Sequence, residues 1–425
     1  MKCCAFLGTS PYSPCIYRRG DWRSPPLRFV QTALALEVGE SLEEVVIFAT
    51  DQARQKNGQA LIDEMADQGV GVRPRLVAIP RGRSREEMVT IYEKVSEHID
   101  DGDRLIFDIT HGFRSQPVLG LLVINYLQAV HRDLEVRDIV YGAFDLEAFR
   151  AFEGPGHPTF DIVSLMPLWE LNRMAKAFEL FETTGHVGAL EQEAKATQQR
   201  VMRAIDGRPP EYPGLHNFGK YLGGFRENMD LCAVPLMHGD DDRPGQMARF
   251  ADKLDEDWNN FTREMGRFIS PLKERMASTV RDMSAGQWDS VQGLEAQLKV
   301  MRWMESHGRY QACLTVGREW INLLVALVLQ RHPSDEAHHG FLGRLSRSSV
   351  DKEQIDEEIQ RIIDLFGDQI LTVVHQIAES RNAVNHCWVG RTQSANPGKQ
   401  VSSAIAAMMD HFPRYLDIYR EQAPV

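Results

Sequence analysis

Over the first 165 residues short apolar runs alternate with helical patterns, and no other feature of the chain restricts its fold as strongly. Cys3 to Leu7, Val45 to Ala49, Arg75 to Ile79, Arg104 to Ile109 and Asp138 to Tyr141 each have strand length and β-branched or aromatic content. Leu27 to Glu37 sets Leu27, Val30 and Leu34 at helical spacing, and Val118 to Val130 reads as an apolar helix. Strand, helix and strand in repetition predict a parallel sheet wrapped by helices, a Rossmann-like α/β domain. Ligands of such sheets sit beyond the carboxyl ends of the strands. The informative residues are therefore Gly8-Thr9-Ser10-Pro11-Tyr12, Thr50-Asp51, Pro80 to Ser84 and Thr110-His111-Gly112-Phe113-Arg114.

From Leu168 onward the strand signal stops. Helical patterns cover Leu168 to Thr183, Val187 to Ile205, Met247 to Ile269, Gly293 to Met304, Ala312 to Leu329, Asp351 to Phe366, Gln369 to Trp388 and Val401 to Tyr419, so the C-terminal half is all-α. Gly207 to Gly245, rich in Gly, Pro and Asp, reads as a long loop or insertion. The expected division is 1–165, 166–300 and 301–425. Forty-eight Lys and Arg against sixty Asp and Glu leave a net charge of −12, which disfavours stable DNA binding and confines any nucleic-acid site to a local cleft. The longest apolar stretch, Pro117 to Val130, falls short of the ~18 to 20 residues of a membrane span. Six cysteines with no CxxC pair, and a Met1 to Ser10 segment without the apolar core of an export signal, predict a reducing, cytoplasmic setting.

The strand-end loops expose backbone N–H groups, and Thr9, Ser10, Thr50, Thr110, His111 and Arg114 add side-chain donors suited to phosphates. Neither GxGxxG nor GxxxxGK[ST] is present, so the NAD and P-loop readings lose their support. Gly112 as a plain turn glycine and His111 as a satisfied histidine is the alternative. In the helix Gln369 to Trp388, the stripe Ile370, Val374, Ile377, Arg381, Val384 and Trp388 puts an arginine on an apolar face, where it needs an anionic partner. His375, Glu379, Asn382 and His386 form a polar stripe beside it. Arg381 and His386 stand about 140° apart on a straight helix. They can serve one phosphate only if the helix ends near Asn385 or a second copy supplies the missing group; a structural arginine plus an exposed histidine is the other reading. Glu319, in a helix that reads as apolar nearly all round, requires a cation, either Arg381 or Arg318. His332 and His338-His339 lack the carboxylate or cysteine that would complete a metal set, so no metal is expected.

Read together, these strings resemble a known group. Asp108-Ile109-Thr110-His111-Gly112-Phe113-Arg114-Ser115-Gln116-Pro117 is similar to the central signature of CARF domains in CRISPR-associated proteins, and Phe6-Leu7-Gly8-Thr9-Ser10 with Tyr12 resembles their first strand and loop. Arg381-Asn382-Ala383-Val384-Asn385-His386 matches the RxxxxH motif of HEPN ribonucleases, in the position where CARF-HEPN effectors of type III systems carry it. Residues about 170 to 300 carry no matching motif.

The resemblance implies a dimer, or a higher homo-oligomer, that binds a cyclic oligoadenylate as allosteric activator, tetra-adenylate ahead of hexa-adenylate, and cleaves single-stranded RNA without a metal or other cofactor. It assigns ring contacts to Gly8, Thr9, Ser10, Tyr12, Thr50, Thr110, His111, Gly112, Phe113 and Arg114. In the helical half it makes His386 a general acid or base and Arg381 the stabiliser of phosphorane charge; Asn382 orients His386 or the phosphate, and Glu319 holds Arg381. Attack by the ribose 2′-hydroxyl then leaves 2′,3′-cyclic phosphate ends. Two other classes compete: a CARF-type ligand-responsive regulator whose helical half does no chemistry, and a Rossmann-like small-molecule enzyme with a helical cap.

Overall fold

The computed structural model describes residues 1–204, 214–240, 243–261, 266–333, 335, 338, 340–350, 355–386 and 396–422. The chain divides into two compact units, Met1–Trp169 and Glu170–Val425, and the division falls within the helix Met166–Thr184.

The first unit is an α/β domain on an eight-stranded sheet of order β3-β2-β8-β7-β6-β1-β4-β5. All five expected runs form strands: β1 (Lys2–Leu7), β4 (Glu44–Ala49), β5 (Arg75–Ala78), β6 (Arg104–Asp108) and β7 (Glu135–Gly142). These five pair in parallel, with β1 between β4 and β6. A central parallel strand is covered on both faces, which is why β1 is apolar almost throughout. Its alternate residues serve two cores: Cys3, Ala5 and Leu7 pack with Ala33, Leu34 and Leu61, while Cys4 and Phe6 pack with Phe48, Phe107 and Val123 on the opposite face.

The sheet is mostly parallel, as expected, and antiparallel pairings occur toward one edge. β8 (Thr159–Ser164) runs antiparallel to β7, and β2 (Cys15–Arg19) pairs in parallel with β8 and antiparallel with β3 (Trp22–Leu27). Pro25 and Pro26 cannot donate to a ladder, so β3 occurs only because it is the sheet edge. Leu27 ends that strand, and the helix expected from it starts at Val30 and runs to Val38.

The second unit is helical apart from one two-residue hairpin among the described residues, and a single apolar core runs from Met174 to Leu416, with Trp320 stacked on Phe412 at 4.1 Å. The expected loop Gly207 to Gly245 is corrected where it is described: Gly214–Asp230 and Val234–His238 are helices, while 207–213 and 241–242 lie outside the described residues. Leu222, Phe225 and Met229 are buried along the first of them. Gly219, Gly223 and Gly224 masked it, since each glycine costs a helix interior roughly 1 kcal/mol relative to Ala. Gly219 lies close to Lys195, and Gly223 close to Glu191. The expected helix Met247 to Ile269 is two, Gln246–Phe261 and Gly266–Asp282, with 262–265 outside the described residues. Among the described residues no helix is long and apolar enough to cross a membrane.

Candidate functional site

β1 and β6 are neighbours in parallel, Ala5 opposite Asp108, so the loops that follow them emerge side by side at the carboxyl edge of the sheet. The Gly8 N–H donates to the Tyr12 hydroxyl at 2.9 Å, and a Cβ on Gly8 would lie 2.8 Å from that oxygen and 3.7 Å from the His111 Cβ. Tyr12 packs against His111, centroids 4.6 Å apart, and against Phe29 at 4.9 Å. Gly112 turns the second loop at φ 109°, where a Cβ would meet Gln116 Oε1 at 2.5 Å. That same oxygen accepts the Phe113 N–H at 3.0 Å and fixes the loop to the helix Ser115–Val130.

Beneath the loops lies a buried polar network. The Asp108 carboxylate accepts the Thr110 N–H at 2.9 Å, the Thr110 hydroxyl, and Gln31 Nε2 at 2.9 Å. Burial pushes the Asp108 carboxyl up to about 6, against the opposing pull of those donors. The Thr110 oxygen also accepts the Gly142 N–H at 2.7 Å, so this hydroxyl is committed to holding the end of β7. Asn57, from the turn after β4, donates to the carbonyls of Gly8 at 2.9 Å and Ser10 at 3.0 Å. Thr50 departs from the expected ligand contact: buried, it accepts the Ala53 N–H at 3.3 Å and caps the helical segment that begins at Asp51.

Ser10, Tyr12, Thr110 and His111 come together around a cavity of about 530 Å³, completed by Tyr17, Arg28, Tyr141, Phe144, Leu146 and Arg150. Thr9, Thr50, Phe113 and Arg114 do not line it, and Phe113 and Arg114 are exposed on the outer part of their loop. His111 Nε2 is buried with no hydrogen-bond partner among the described residues, and burial lowers the imidazole to about 4, so the ring is neutral at pH 7. Tyr141 and Phe144 stand at and just beyond the end of the fifth apolar run, where the strand-end rule points. Tyr17 lies in the hairpin that the prolines hide, and Arg28 follows directly after it.

In the second unit the helix Gln369–Asn385 stops at Asn385, one of the two arrangements the spacing of Arg381 and His386 allowed. His386 sits at the cap with φ −94° and ψ 17°, donating its N–H to the Asn382 carbonyl at 3.0 Å. Trp388, at the end of the expected stripe, lies outside the described residues. Arg381 is half-buried, its Nε enclosed without a hydrogen-bond partner among the described residues, whereas Asn382 and His386 are exposed. Gln311 Nε2 donates to Asn385 Oδ1 at 3.2 Å, beside His386. Burial raises the Cys232 thiol, opposed by the cations Arg309 and Arg381, which places Arg381 near Cys232.

Glu319 does not hold Arg381. Its carboxylate is 42% exposed and pairs with Arg318 at 3.1 Å, because the helix Tyr310–Val328 buries Trp320, Ile321 and Leu324 while Arg318 and Glu319 face outward. A carboxylate facing water needs no buried partner. His338 is buried, with its Nε2 at 3.0 Å from the Asn322 carbonyl; His339 lies outside the described residues.

No protein-family model matches the chain. Over 210 residues, 48% of this chain, the sequence is 23% identical to the CRISPR-associated protein MJ1674 of Methanocaldococcus jannaschii, which agrees with the CRISPR-associated resemblance of the motifs. The match takes in 28% of that protein, so the chain spans less than a third of the length of the curated relative it matches. Among solved structures, Enterococcus italicus Csm6 bound to cyclic hexa-2′-fluoro-hexa-dAMP aligns over 99% of this chain and 94% of its own, with a TM-score of 0.42 and 10% identity.

Proposed function

We propose that this chain is a cyclic-oligoadenylate-activated endoribonuclease that cleaves single-stranded RNA in type III CRISPR defence, acting in the cytoplasm as a homodimer or higher homo-oligomer. The observation that carries the reading is the Thr110–Arg114 loop packed against the Gly8–Tyr12 loop, His111 on Tyr12, at the carboxyl edge of adjacent parallel strands, with a cavity lined by arginines and tyrosines beside it. The CRISPR-associated relative supports it from a separate direction. A ring of adenylates is locally anionic and suits N–H-rich loops with Arg114 exposed at their rim. The ring is bound by the first unit, tetra-adenylate ahead of hexa-adenylate.

The RNA is cut by the second unit, without a metal. His386, free at a helix end, removes the proton from a ribose 2′-hydroxyl or delivers one to the leaving 5′-oxygen. Half-buried Arg381 offers its guanidinium charge to the negative charge that builds on the pentavalent phosphorane. Asn382, exposed beside them, orients the phosphate or the imidazole. The products carry 2′,3′-cyclic phosphate and 5′-hydroxyl ends.

The homodimer has a candidate face in the helix Ser115–Val130. Its sixteen residues include no charge, and Val118, Leu122, Tyr126 and Val130 stand four apart, each at least half exposed. The deciding experiment incubates fluorescent single-stranded RNA with the protein in EDTA, with and without each of cyclic tri-, tetra- and hexa-adenylate, alongside His386→Ala. Cleavage that depends on one ring and vanishes in the variant is the expected result. Protein that binds a ring yet cleaves nothing is instead a ligand-responsive regulator.

A further inference from the structure

Three helices of the second unit line a cavity of about 750 Å³ that includes neither Arg381 nor His386. Gly188–Ala204 brings Glu191 and Lys195 to it, and Gln246–Phe261 brings Arg249 and Asp252. The third helix, Gly214–Asp230, packs against both and faces the cavity with Gly219, Gly223 and Gly224. Glycine weakens a helix interior, so three of them within six residues call for a reason. Close packing supplies it for Gly223, whose Cβ would lie 3.2 Å from Glu191 Oε1. Gly224 is different: a Cβ there would meet only Gln246 Oε1, at an ordinary 3.6 Å, so its bare backbone opens to the cavity. The charges on the walls are of both signs. Glu191 is committed to Lys195 at 2.6 Å and Arg226 at 3.1 Å. Lys220 and Arg249 are exposed on the rim without an ion pair among the described residues, and so are the carboxylates of Glu227 and Asp252.

We infer that this cavity binds a nucleoside phosphate, with the phosphates on Lys220 and Arg249, the ribose hydroxyls on Glu227 and Asp252, and the base over Gly224. This is a site in the helical half, separate from the proposed ring site and cleavage residues, and it stands whether or not those assignments hold. The volume lies within the roughly 300 to 1,000 Å³ of small-molecule sites. A bare anion would gain from the two cations and be repelled by the two carboxylates, so inorganic phosphate suits the lining poorly. A nucleoside phosphate uses both signs, because its phosphate oxygens accept from Lys and Arg while its ribose diol donates to carboxylate. A glycine without a side chain lets a flat base approach the helix backbone closely. A free nucleotide and a nucleotide unit within single-stranded RNA share this chemistry.

The test measures equilibrium binding of ATP, adenosine and inorganic triphosphate, without metal, to the wild type, Lys220→Glu, Arg249→Glu and Gly224→Leu. A short single-stranded RNA is titrated in parallel into the same proteins carrying His386→Ala. ATP is expected to bind more tightly than adenosine or triphosphate, and each variant to weaken it by about tenfold, the loss of one charge contact or of the floor. Leucine favours a helix over glycine, so Gly224→Leu is expected to melt at or above the wild-type temperature, and its weaker binding then reports the filled cavity and not a damaged fold. RNA binding that falls in the same three variants, with no binding of ATP, supports the site and assigns it to nucleotides of a strand. Triphosphate bound as tightly as ATP overturns the inference, since the carboxylates and floor then select nothing. Nucleotide or RNA binding unchanged in all three variants overturns it as well, and so does the binding of neither.

Discussion

The side-chain amide of Asn57 donates to the Gly8 carbonyl at 2.9 Å, tying the turn after β4 to the loop after β1 across two adjacent strands. The same nitrogen holds the Ser10 carbonyl at 3.0 Å, so one side chain fixes both ends of the segment that presents Thr9 and Ser10. Asn57→Ala leaves two carbonyls without this donor. Each lost hydrogen bond is worth about 1 kcal/mol. The expected outcome is a ring affinity about tenfold weaker by calorimetry, with only a few degrees lost from the melting temperature. An unchanged affinity would show that the loop holds its shape without the clamp.

Catalysis separates the roles of the second unit's residues. His386→Ala and Arg381→Ala are expected to lower ring-activated RNA cleavage by about 10² to 10⁴, the range for a positioned acid–base group, with ring affinity unaltered. Glu319→Gln is expected to stay within about twofold of wild type, because an exposed pair with Arg318 contributes little. A collapse of turnover in Glu319→Gln would restore it as the residue that holds Arg381.

Much of the first unit was legible because a central parallel strand is buried on both faces and must be apolar, as β1, β4 and β6 are. The mixed edge was not, since edge strands tolerate prolines such as Pro25 and Pro26 and carry a weaker apolar signature. The Asp108–Arg114 string located the loop, but chain order alone could not tell which of its donors were already used. Thr50 is occupied as a cap and Thr110 as a brace, while His111 kept a free nitrogen. Asn57 gave no signal at all, because its role depends on where the π-helical segment Arg54–Gly58 aims one side chain. For the RNAVNH string, the helix end at Asn385 is one of the arrangements that spacing left open. Glu319 was misplaced because Arg318 and Glu319 occupy a narrow outward strip, concealed by the apolar residues that precede and follow it along the helix.

The uncharged face of Ser115–Val130 predicts how the proposed homodimer would be broken. Leu122 is 56% exposed at the middle of the stripe, so Leu122→Glu places a charge in the face without disturbing either core. Burying an unpaired carboxylate at an apolar interface is strongly unfavourable. Sedimentation is expected to show a homodimer for the wild type and a monomer for Leu122→Glu, with the melting transition of the isolated chain little altered. A variant that stays dimeric would place the contact on another face.

His238 sets an acid limit on the second unit. It is fully buried, neither ring nitrogen has a hydrogen-bond partner among the described residues, and burial lowers its pKa to about 4 from 6.5. The unfolded chain therefore takes up the proton first as the pH falls. Stability from the neutral form is complete above about pH 6.5 and declines down to about pH 4, by roughly 3 kcal/mol. Asp108 acts in the opposite sense: raised to about 6 from 3.8, it contributes most at low pH and loses that contribution as the pH climbs through 6. Because Asp108 is common to both proteins, comparing wild type with His238→Leu isolates the histidine. Denaturant melts at pH 7 are expected to show the variant more stable by about 1 to 2 kcal/mol, the cost of the unpaired nitrogens. The gap should widen as the pH is lowered from 6.5 to 4. A constant gap over that window would mean that His238 finds a proton acceptor in the folded protein.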